Sequence, residues 1–289
     1  MQQALELYSK VLEDQPEVSL NSFSRDIGMP YWKLRDARLN AQREKAREAK
    51  RVVHREWVRD LALANPTYGY RRIHHDLVLL HGQAAPGRHE VRNILRELGL
   101  IPSQPRKIRR PAVPVTAATL WPEGRRVQID ATRFSVQDGV SWVYVVLDVE
   151  SRAVLHVGVV RNLSASSAVT ALRTGIEILR DLGIAEKIVV MSDGGSDFTS
   201  LAFQQACLDV GCWVRGKVSQ RGGMGILERV NRTLKYEWVF RYEVRSIAEL
   251  RAQCAEFQKW YNQRRRHSAL GYAYPWDKLM ASAKTLFAA

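Results

Sequence analysis

Three acidic residues in the second half of the chain have the types and positions that metal-dependent phosphoryl chemistry requires. Asp130 lies near the end of an alternating stretch, Asp193 precedes a Gly-Gly pair, and Glu228 opens a stretch with helical periodicity. Three converging carboxylates suit two Mg²⁺ ions, because this hard cation prefers oxygen ligands and leaves positions open for water and phosphate. Two such ions can activate an attacking oxygen and stabilise the leaving oxygen of an in-line displacement.

Each acid also has a purely structural interpretation. Asp130 is the hardest to explain in this way, because aspartate is depleted in strands. Asp193 can be an ordinary turn former, and Glu228 can simply complement a helix dipole. Three other acids compete for the same roles, namely Asp148, Asp197 and Glu237. We prefer Glu228 to Glu237 because its end of the helix lies nearer the preceding turn.

The elements around these acids are those of a mixed α/β sheet. Strand patterns occupy Arg126–Phe134, Ser141–Val149, Ala153–Val160, Lys187–Met191 and Trp213–Val218. Helical patterns occupy Ser164–Leu182, Leu201–Val210, Ile226–Trp238 and Ile247–Gln263. Three strands, helix, strand, helix, strand, helix is the order of an α/β ribonuclease H-like fold, with a five-stranded sheet flanked by helices. The first and fourth strands are neighbours in this topology, so Asp130 and Asp193 are expected at adjacent strand ends.

The charge of the chain favours a polyanionic partner. It has 44 Lys and Arg against 30 Asp and Glu, a net charge of +14, and residues 1–110 carry 21 of the bases and 13 of the acids. Ribosomal and membrane-surface proteins share such a balance, so charge alone does not decide between these classes. Three cysteines without metal-ligand spacing, and the absence of long apolar runs, predict a cytoplasmic protein with no membrane partner. If the polyanionic partner is DNA, we expect the protein to be nucleoid-associated and to have no small-molecule substrate.

Two N-terminal segments predict all-α helix-turn-helix units. In residues 23–38, Gly28 permits the turn, and the second helix offers Tyr31, Lys33, Arg35 and Arg38 to a major groove. The second unit runs from Tyr68 to Leu98, and its basic side chains are Arg71, Arg72, Arg88, Arg92 and Arg96. Solvated helix faces are the alternative interpretation of these charges. The stretch between the units predicts a long exposed helix, used for self-association or as a spacer.

These patterns divide the chain into five regions. They are a helix-turn-helix with a charged helix at 1–60, a second helix-turn-helix-like domain at 61–100, a basic Pro-rich linker at 101–125, the catalytic core at 126–245, and a C-terminal helix with a basic tail at 246–289.

A series of short motifs extends over roughly residues 18–280. Its members are Tyr68-Gly69-Tyr70-Arg71-Arg72-Ile73, Gln128-Ile129-Asp130-Ala131-Thr132, Ser192-Asp193-Gly194-Gly195-Ser196, Glu228-Arg229 with Arg232–Glu237, and Trp260-Tyr261-Asn262 through Arg266–Tyr272 to Pro275. In this order they resemble the OrfB-type transposases of the insertion sequence three family, whose core is similar to that of retroviral integrases.

The resemblance implies a DDE transposase that binds the terminal inverted repeats of an insertion sequence and performs strand cleavage and strand transfer. Asp130, Asp193 and Glu228 then form the catalytic, metal-binding triad, with two Mg²⁺ ions for which Mn²⁺ can substitute. DNA phosphates are contacted by Lys235, Arg264, Arg265, Arg266 and His267. The implied partners are double-stranded terminal and target DNA, and further copies of the chain in a dimer or larger assembly.

The sequence departs from the family pattern at one place. Only 34 residues separate Asp193 and Glu228, one fewer than the family usually has, and the intervening Gln220–Gly225 lacks an Asp-Asn pair. A catalytically inactive DNA-binding derivative and a structure-selective ribonuclease H-like nuclease are the alternative functions. Retention of all three acids argues against the first alternative, and two DNA-reading units argue against the second.

Overall fold

The computed structural model describes residues 1–101, 122–184, 187–216 and 224–287. The chain divides into two compact units, Met1–Gln104 and Pro105–Ala289. Most of the predicted linker, including the basic run 106–110, lies outside the described residues. Within the described ranges, no helix is both long enough and apolar enough to cross a membrane.

All regular secondary structure in the described part of the first unit is helical. Its helices are α1 (Gln2–Asp14), α2 (Leu20–Asp26), α3 (Tyr31–Ala64), α4 (Tyr70–His81) and α5 (Arg88–Glu97). Gly28 adopts a φ of 66° between α2 and α3, as the predicted turn requires. A small core of Tyr8, Phe23 and Leu34 fixes this helix-turn-helix.

Helix α3 continues for 34 residues, through the predicted boundary between residues 60 and 61. Residues 36–59 contain no Gly or Pro and are rich in the strong helix formers Ala, Arg, Glu and Lys, so nothing interrupts the helix. Near its end Val58 packs with α4 and α5 in a second core. The other buried members of this core are Ala62, Tyr68, Ile73, Leu77, Val91, Ile94 and Leu95.

The second unit is built on a five-stranded sheet. Its elements are β1 (Arg125–Val136), β2 (Gly139–Asp148), β3 (Val154–Val160), α6 (Ala165–Asp181), β4 (Ile188–Ser192), α7 (Leu201–Leu208), β5 (Gly211–Arg215), α8 (Gly225–Thr233), α9 (Ile247–Gln263) and α10 (Pro275–Phe287). The strand order is β3-β2-β1-β4-β5. Strands β1, β2 and β3 pair antiparallel, whereas β4 is parallel to both β1 and β5. The ribonuclease H-like prediction is therefore confirmed, including the adjacency of the first and fourth strands.

The boundaries of most elements differ from the prediction by one or two residues, and two differences, at β5 and α8, affect the site. Strand β5 begins at Gly211 rather than Trp213, because its five residues pair in register with Ile188–Ser192. The predicted helix Ile226–Trp238 ends at Thr233 and continues as a π-helical turn over Leu234–Trp238. A wider turn of this kind carries an extra residue per turn and often occurs at functional sites.

The sheet separates two apolar layers because successive strand residues point to opposite faces. Val127 and Ile129 of β1 face α6 and α7, whereas Phe134 faces α8 and α9. At the β3 edge, Asn262 of α9 replaces a neighbouring strand. Its Oδ1 accepts from the Val154 backbone nitrogen at 2.9 Å, and its Nδ2 donates to the Val154 carbonyl at 2.8 Å. Helix α9 is thus part of the core that positions α8.

Candidate active site and nucleic-acid surfaces

Asp130 lies on β1 beneath the beginning of α8. Asn231 Nδ2 donates to Asp130 Oδ2 at 2.7 Å, and the Ala131 backbone nitrogen donates to Oδ1 at 2.9 Å. Two residues earlier on the same face, Gln128 Oε1 accepts from the Leu227 backbone nitrogen at 3.1 Å. These contacts fix the first turns of α8 on β1 and hold the Asp130 carboxylate in one orientation.

Asp193 directly follows β4, so it lies at the strand edge next to β1. Its Oδ1 accepts from the Gly195 backbone nitrogen at 2.9 Å. Tyr144 on β2 anchors the same loop, because its hydroxyl donates to Asp197 Oδ2 at 2.6 Å. Burial, followed by the contact with Asp197, raises the pKa of Tyr144 above its usual range. Tyr144 therefore stays protonated and keeps donating to the loop that carries Asp193.

Glu228 is exposed in the first turn of α8, one helical turn before Asn231. The pKa of Asp130 is raised to about 6, first by burial and then by the negative charge of Asp193. Glu228 and Asp197 add smaller increases, and the hydrogen bond from the Ala131 backbone nitrogen opposes the shift. Asp193 and Glu228 thus both lie within electrostatic reach of Asp130. Their roles in catalysis remain predictions.

The donor set fits a hard divalent cation. Carboxylate oxygens are the preferred ligands of Mg²⁺, and the field acting on Asp130 is negative. Beside Asp130, the buried Asn231 Oδ1 has no hydrogen-bond partner in the described part of the chain. In those same residues, no group of three or more His, Cys, Asp and Glu side chains is close enough to hold an ion. Ligation by all three acids therefore needs small side-chain movements, which the exposed Asp193 and Glu228 can make.

Arg215 brings positive charge to the Asp193 loop. It ends β5 and is exposed, and its guanidinium packs on Gly194, the residue after Asp193. A Cβ atom added at Gly194 would lie 2.7 Å from Arg215 Cζ. The guanidinium occupies the space that a side chain at position 194 would take, so the glycine lets a cation approach the candidate site.

Lys235 extends from the π-helical turn toward β1. Its ammonium lies 5.4 Å from the Phe134 ring centroid. Burial lowers the pKa of Lys235, while the charge of Asp130 raises it to a smaller extent. The predicted phosphate contact therefore lies near the carboxylates.

Arg265 and His267 have a different environment from the predicted DNA surface. Arg265 is 5% exposed and binds Glu237 through both Nε and Nη2, at 2.9 and 2.8 Å. Its Nη1 lies 3.3 Å from His267 Nε2, and His267 is also buried. Both side chains are therefore buried in contacts within the core instead of lying on an exposed surface, and Glu237 is engaged in the ion pair with Arg265. Arg264 is exposed, and Arg266 packs over Tyr274 with its centroid 4.8 Å away.

The predicted DNA-binding side chains of the first helix-turn-helix lie at the beginning of α3. Tyr31, Lys33, Arg35 and Arg38 are all exposed. Arg35 pairs with Asp36 at 2.9 Å, and Arg38 lies over the Tyr8 ring. Trp32, which the sequence did not single out, is 57% exposed with Lys33 over its ring.

The second helical unit has a basic face that includes Tyr70. Arg88, Arg92 and Arg96 are exposed along α5. Arg71 Nε donates to the Tyr70 hydroxyl at 3.2 Å, and Arg92 lies 5.9 Å from the Tyr70 ring centroid. The Arg71 hydrogen bond and the nearby positive charges lower the pKa of Tyr70. Arg72 is half-buried and lies over Tyr68.

Sequence reasoning missed Asn231, Arg215 and the Tyr144–Asp197 pair. Asn231 follows Glu228 by one helical turn, and that spacing was a signal available in the sequence. The other contacts join residues from separate strands and loops. Only the folded sheet brings these side chains together.

Comparison with known families defines the class of protein. Residues 47–108 match the model of an HTH-like domain, and residues 123–216 and 213–275 match two models described as integrase core domain. The chain thus has regions similar to an integrase core domain, preceded by a region similar to an HTH-like domain. Together the three matches fit an OrfB-type DDE transposase of the insertion sequence three family, as the motifs indicated.

Similar solved structures include three of retroviral origin. A simian T-cell lymphotropic virus intasome in complex with PP2A regulatory subunit B56 gamma is 18% identical, covers 73% of this chain and 70% of that chain, and has a TM-score of 0.45. The HTLV-2 integrase catalytic core domain in complex with magnesium is 19% identical, with coverages of 53% and 94% and a TM-score of 0.41. The catalytic core domain of BIV integrase is 18% identical, with coverages of 56% and 97% and a TM-score of 0.44. Comparison with curated proteins finds no match.

Proposed function

We propose that the protein is a DNA transposase that cleaves and joins DNA strands at the ends of an insertion sequence, with Asp130, Asp193 and Glu228 as metal-binding residues. The observation that carries this proposal is the electrostatic environment of the Asp130 carboxylate. Its carboxylate is held by Asn231 of the Glu228 helix, while burial and, after it, neighbouring carboxylates raise its pKa to about 6. Such an uncompensated cluster in an integrase core is suited to divalent cations.

The three acids would hold two Mg²⁺ ions, or Mn²⁺ in their place, which supply Lewis acidity to the reacting phosphodiester. Asn231 keeps the Asp130 carboxylate turned toward the shared site. Tyr144 and Asp197 position the Asp193 loop. Arg215 and Lys235 bind phosphates on either side of the reacting group. The attacking group is water in cleavage and a 3′-hydroxyl in joining.

The N-terminal unit recognises the terminal inverted repeats. Two surfaces serve this role, the beginning of α3 and the basic face of α4 and α5. Their DNA-binding residues are Tyr31, Lys33, Arg35, Arg38, Arg71, Arg72, Arg88, Arg92 and Arg96. Arg264 and Arg266 extend the DNA surface of the core. Because a transposition event joins two ends, the active form contains at least two copies of the chain.

The regional boundaries at 60, 100, 125 and 245 are retained as approximate limits of these functions, although α3 crosses the first one.

The test is a strand-transfer assay on duplexes that contain the ends flanking the gene. Asp130→Ala and Asp193→Asn should abolish cleavage and joining while binding of the same duplex is retained. Glu177→Gln, which changes an exposed acid on α6, is the matched control and should keep full activity. Full activity in the Asp130 and Asp193 variants would overturn the proposal. Binding without metal-dependent cleavage by the unmodified chain would indicate an inactive DNA-binding derivative, and cleavage without joined products would indicate a nuclease.

A further inference from the structure

Two exposed aromatic side chains lie beyond the carboxylates, in the segment that follows α8. Tyr236 and Phe240 are 60% and 57% exposed. Their rings meet edge to face with centroids 5.5 Å apart, and the Phe240 centroid lies 5.9 Å from that of the buried Phe134. We call Tyr236 and Phe240 the aromatic patch. Clustered exposed apolar side chains are candidate contacts for a ligand or partner.

Strand β1 leads from the candidate active site to the aromatic patch. Phe134 follows Asp130 by four residues on the same strand face, a distance of about 13 Å. Lys235 lies between them, with its ammonium over the Phe134 ring and within the field of Asp130. The aromatic patch is therefore close enough to the carboxylates for one DNA strand to contact both.

The charge around the patch matches a nucleic acid strand. Residues 229–245 contain five basic side chains, Arg229, Arg232, Lys235, Arg241 and Arg245. The two acids of this segment are both in ion pairs, Glu237 with Arg265 and Glu243 with Arg245, each at 2.8 Å. The net field is therefore positive. A purely apolar contact with a second copy of the chain would gain nothing from this excess of like charge.

We propose that the aromatic patch is a stacking platform for unpaired bases of the DNA strand that enters the active site. The inference rests on the proposed function, because it takes DNA as the substrate. Where the strand at the carboxylates separates from its duplex partner, its base faces become exposed to water. Tyr236 and Phe240 offer rings to those faces, and Lys235 and Arg241 offer charges to the phosphates. Stacking of this kind tolerates any base, because every base has a π-face.

The experiment compares two DNA probes with the full chain in the absence of divalent metal. One probe is a blunt duplex, and the other is the same duplex ending in a short run of unpaired thymidines. The unmodified chain should bind the second probe more tightly. The double variant Y236A/F240A should lose about tenfold in affinity for the unpaired end and little for the blunt duplex. Y236F and F240W, which keep the rings, should retain the preference.

Leu208→Ala is the matched control, because Leu208 on α7 is 59% exposed and remote in sequence from the patch. Thermal unfolding of each variant checks that the fold is intact. Retention of the unpaired-end preference by Y236A/F240A would overturn the proposal. So would an equal loss on both probes together with dissociation of an oligomer in sedimentation, since a second copy would then cover the patch.

The two proposals fail in different ways. If the unmodified chain binds and cleaves end-containing duplexes but shows no preference for unpaired thymidines, only the stacking platform is wrong. If it binds neither probe, the transposase assignment is wrong and the stacking platform falls with it.

Discussion

Asp130 and Asp148 lie on neighbouring strands of one sheet, and the fold treats their charges in opposite ways. Asp148 is fully buried and accepts from Arg125 Nε and Nη2 at 2.8 and 2.9 Å, with further hydrogen bonds from Ser151. Asp130 accepts one hydrogen bond from a side-chain amide and one from a backbone nitrogen, and its pKa is raised first by burial and then by neighbouring carboxylates. A carboxylate compensated within the chain serves folding, whereas one left uncompensated is available for an external cation.

The largest effect expected from this contrast is the loss of activity in Asp130→Asn. The amide is nearly isosteric but carries no charge for a cation, so metal-dependent strand transfer should fall to background. Without metal, the variant should be at least as stable as the unmodified chain, because repulsion from Asp193 and Glu228 disappears. Strand-transfer assays and thermal unfolding in chelator measure the two quantities. A clear loss of metal-free stability would show that Asp130 is a structural acid like Asp148.

At Asp148, the carboxylate compensated by Arg125, we expect a loss of stability. Arg125→Ala leaves Asp148 buried without its cation and should lower the free energy of unfolding by about 3–5 kcal/mol. The matched control is Arg245→Ala. It breaks an ion pair of the same 2.8 Å length with Glu243, but both partners are exposed. The control should cost less than about 1 kcal/mol. Urea unfolding measures the free energy of unfolding of both variants. Equal losses would contradict the distinction between a buried and an exposed ion pair.

The sequence predicted the sheet more completely than the site because strand patterns depend on local alternation. Val127, Ile129 and Phe134 indicate both the strand and its two faces, and the boundaries of α9 match the prediction at both ends. The end of α8 was not predicted, since nothing in the local pattern distinguishes a π-helical turn over Leu234–Trp238 from a continuing α-helix.

The charges of the site depend on contacts that no local pattern contains. Arg265 follows a basic residue and precedes another, so the sequence indicates a basic surface, yet Glu237 from a separate helix draws it into the core. Arg215 was overlooked for the opposite reason. It is a single arginine at a strand end, and only the packing of β5 against the Asp193 loop places it on Gly194.

The titration of Asp130 should make the free energy of unfolding depend on pH, an effect intermediate in size among these predictions. The pKa of the Asp130 carboxyl is raised from 3.8 to about 6, so the folded chain holds this proton more tightly than the unfolded chain does. The corresponding stability is fully present below about pH 4 and is lost as the pH rises through about 6, with a total of about 3 kcal/mol. Urea unfolding in chelator should show this loss in the unmodified chain relative to Asp130→Asn. Parallel pH profiles would mean that Asp130 has an ordinary pKa and that its charge is compensated.

The smallest effect extends the contrast from carboxylates to cations. Arg215 is exposed beside Asp193, whereas Arg265 donates through Nε and Nη2 to the two carboxylate oxygens of Glu237. Arg215→Ala should weaken DNA binding and reduce the slope of log affinity against log salt by about 1, as expected for one lost phosphate contact, without changing stability. Arg265→Ala should instead lower the unfolding temperature, and folded protein at low temperature should keep the original salt slope. If the two variants changed the salt slope equally, burial within an ion pair would not separate structural cations from DNA-binding ones.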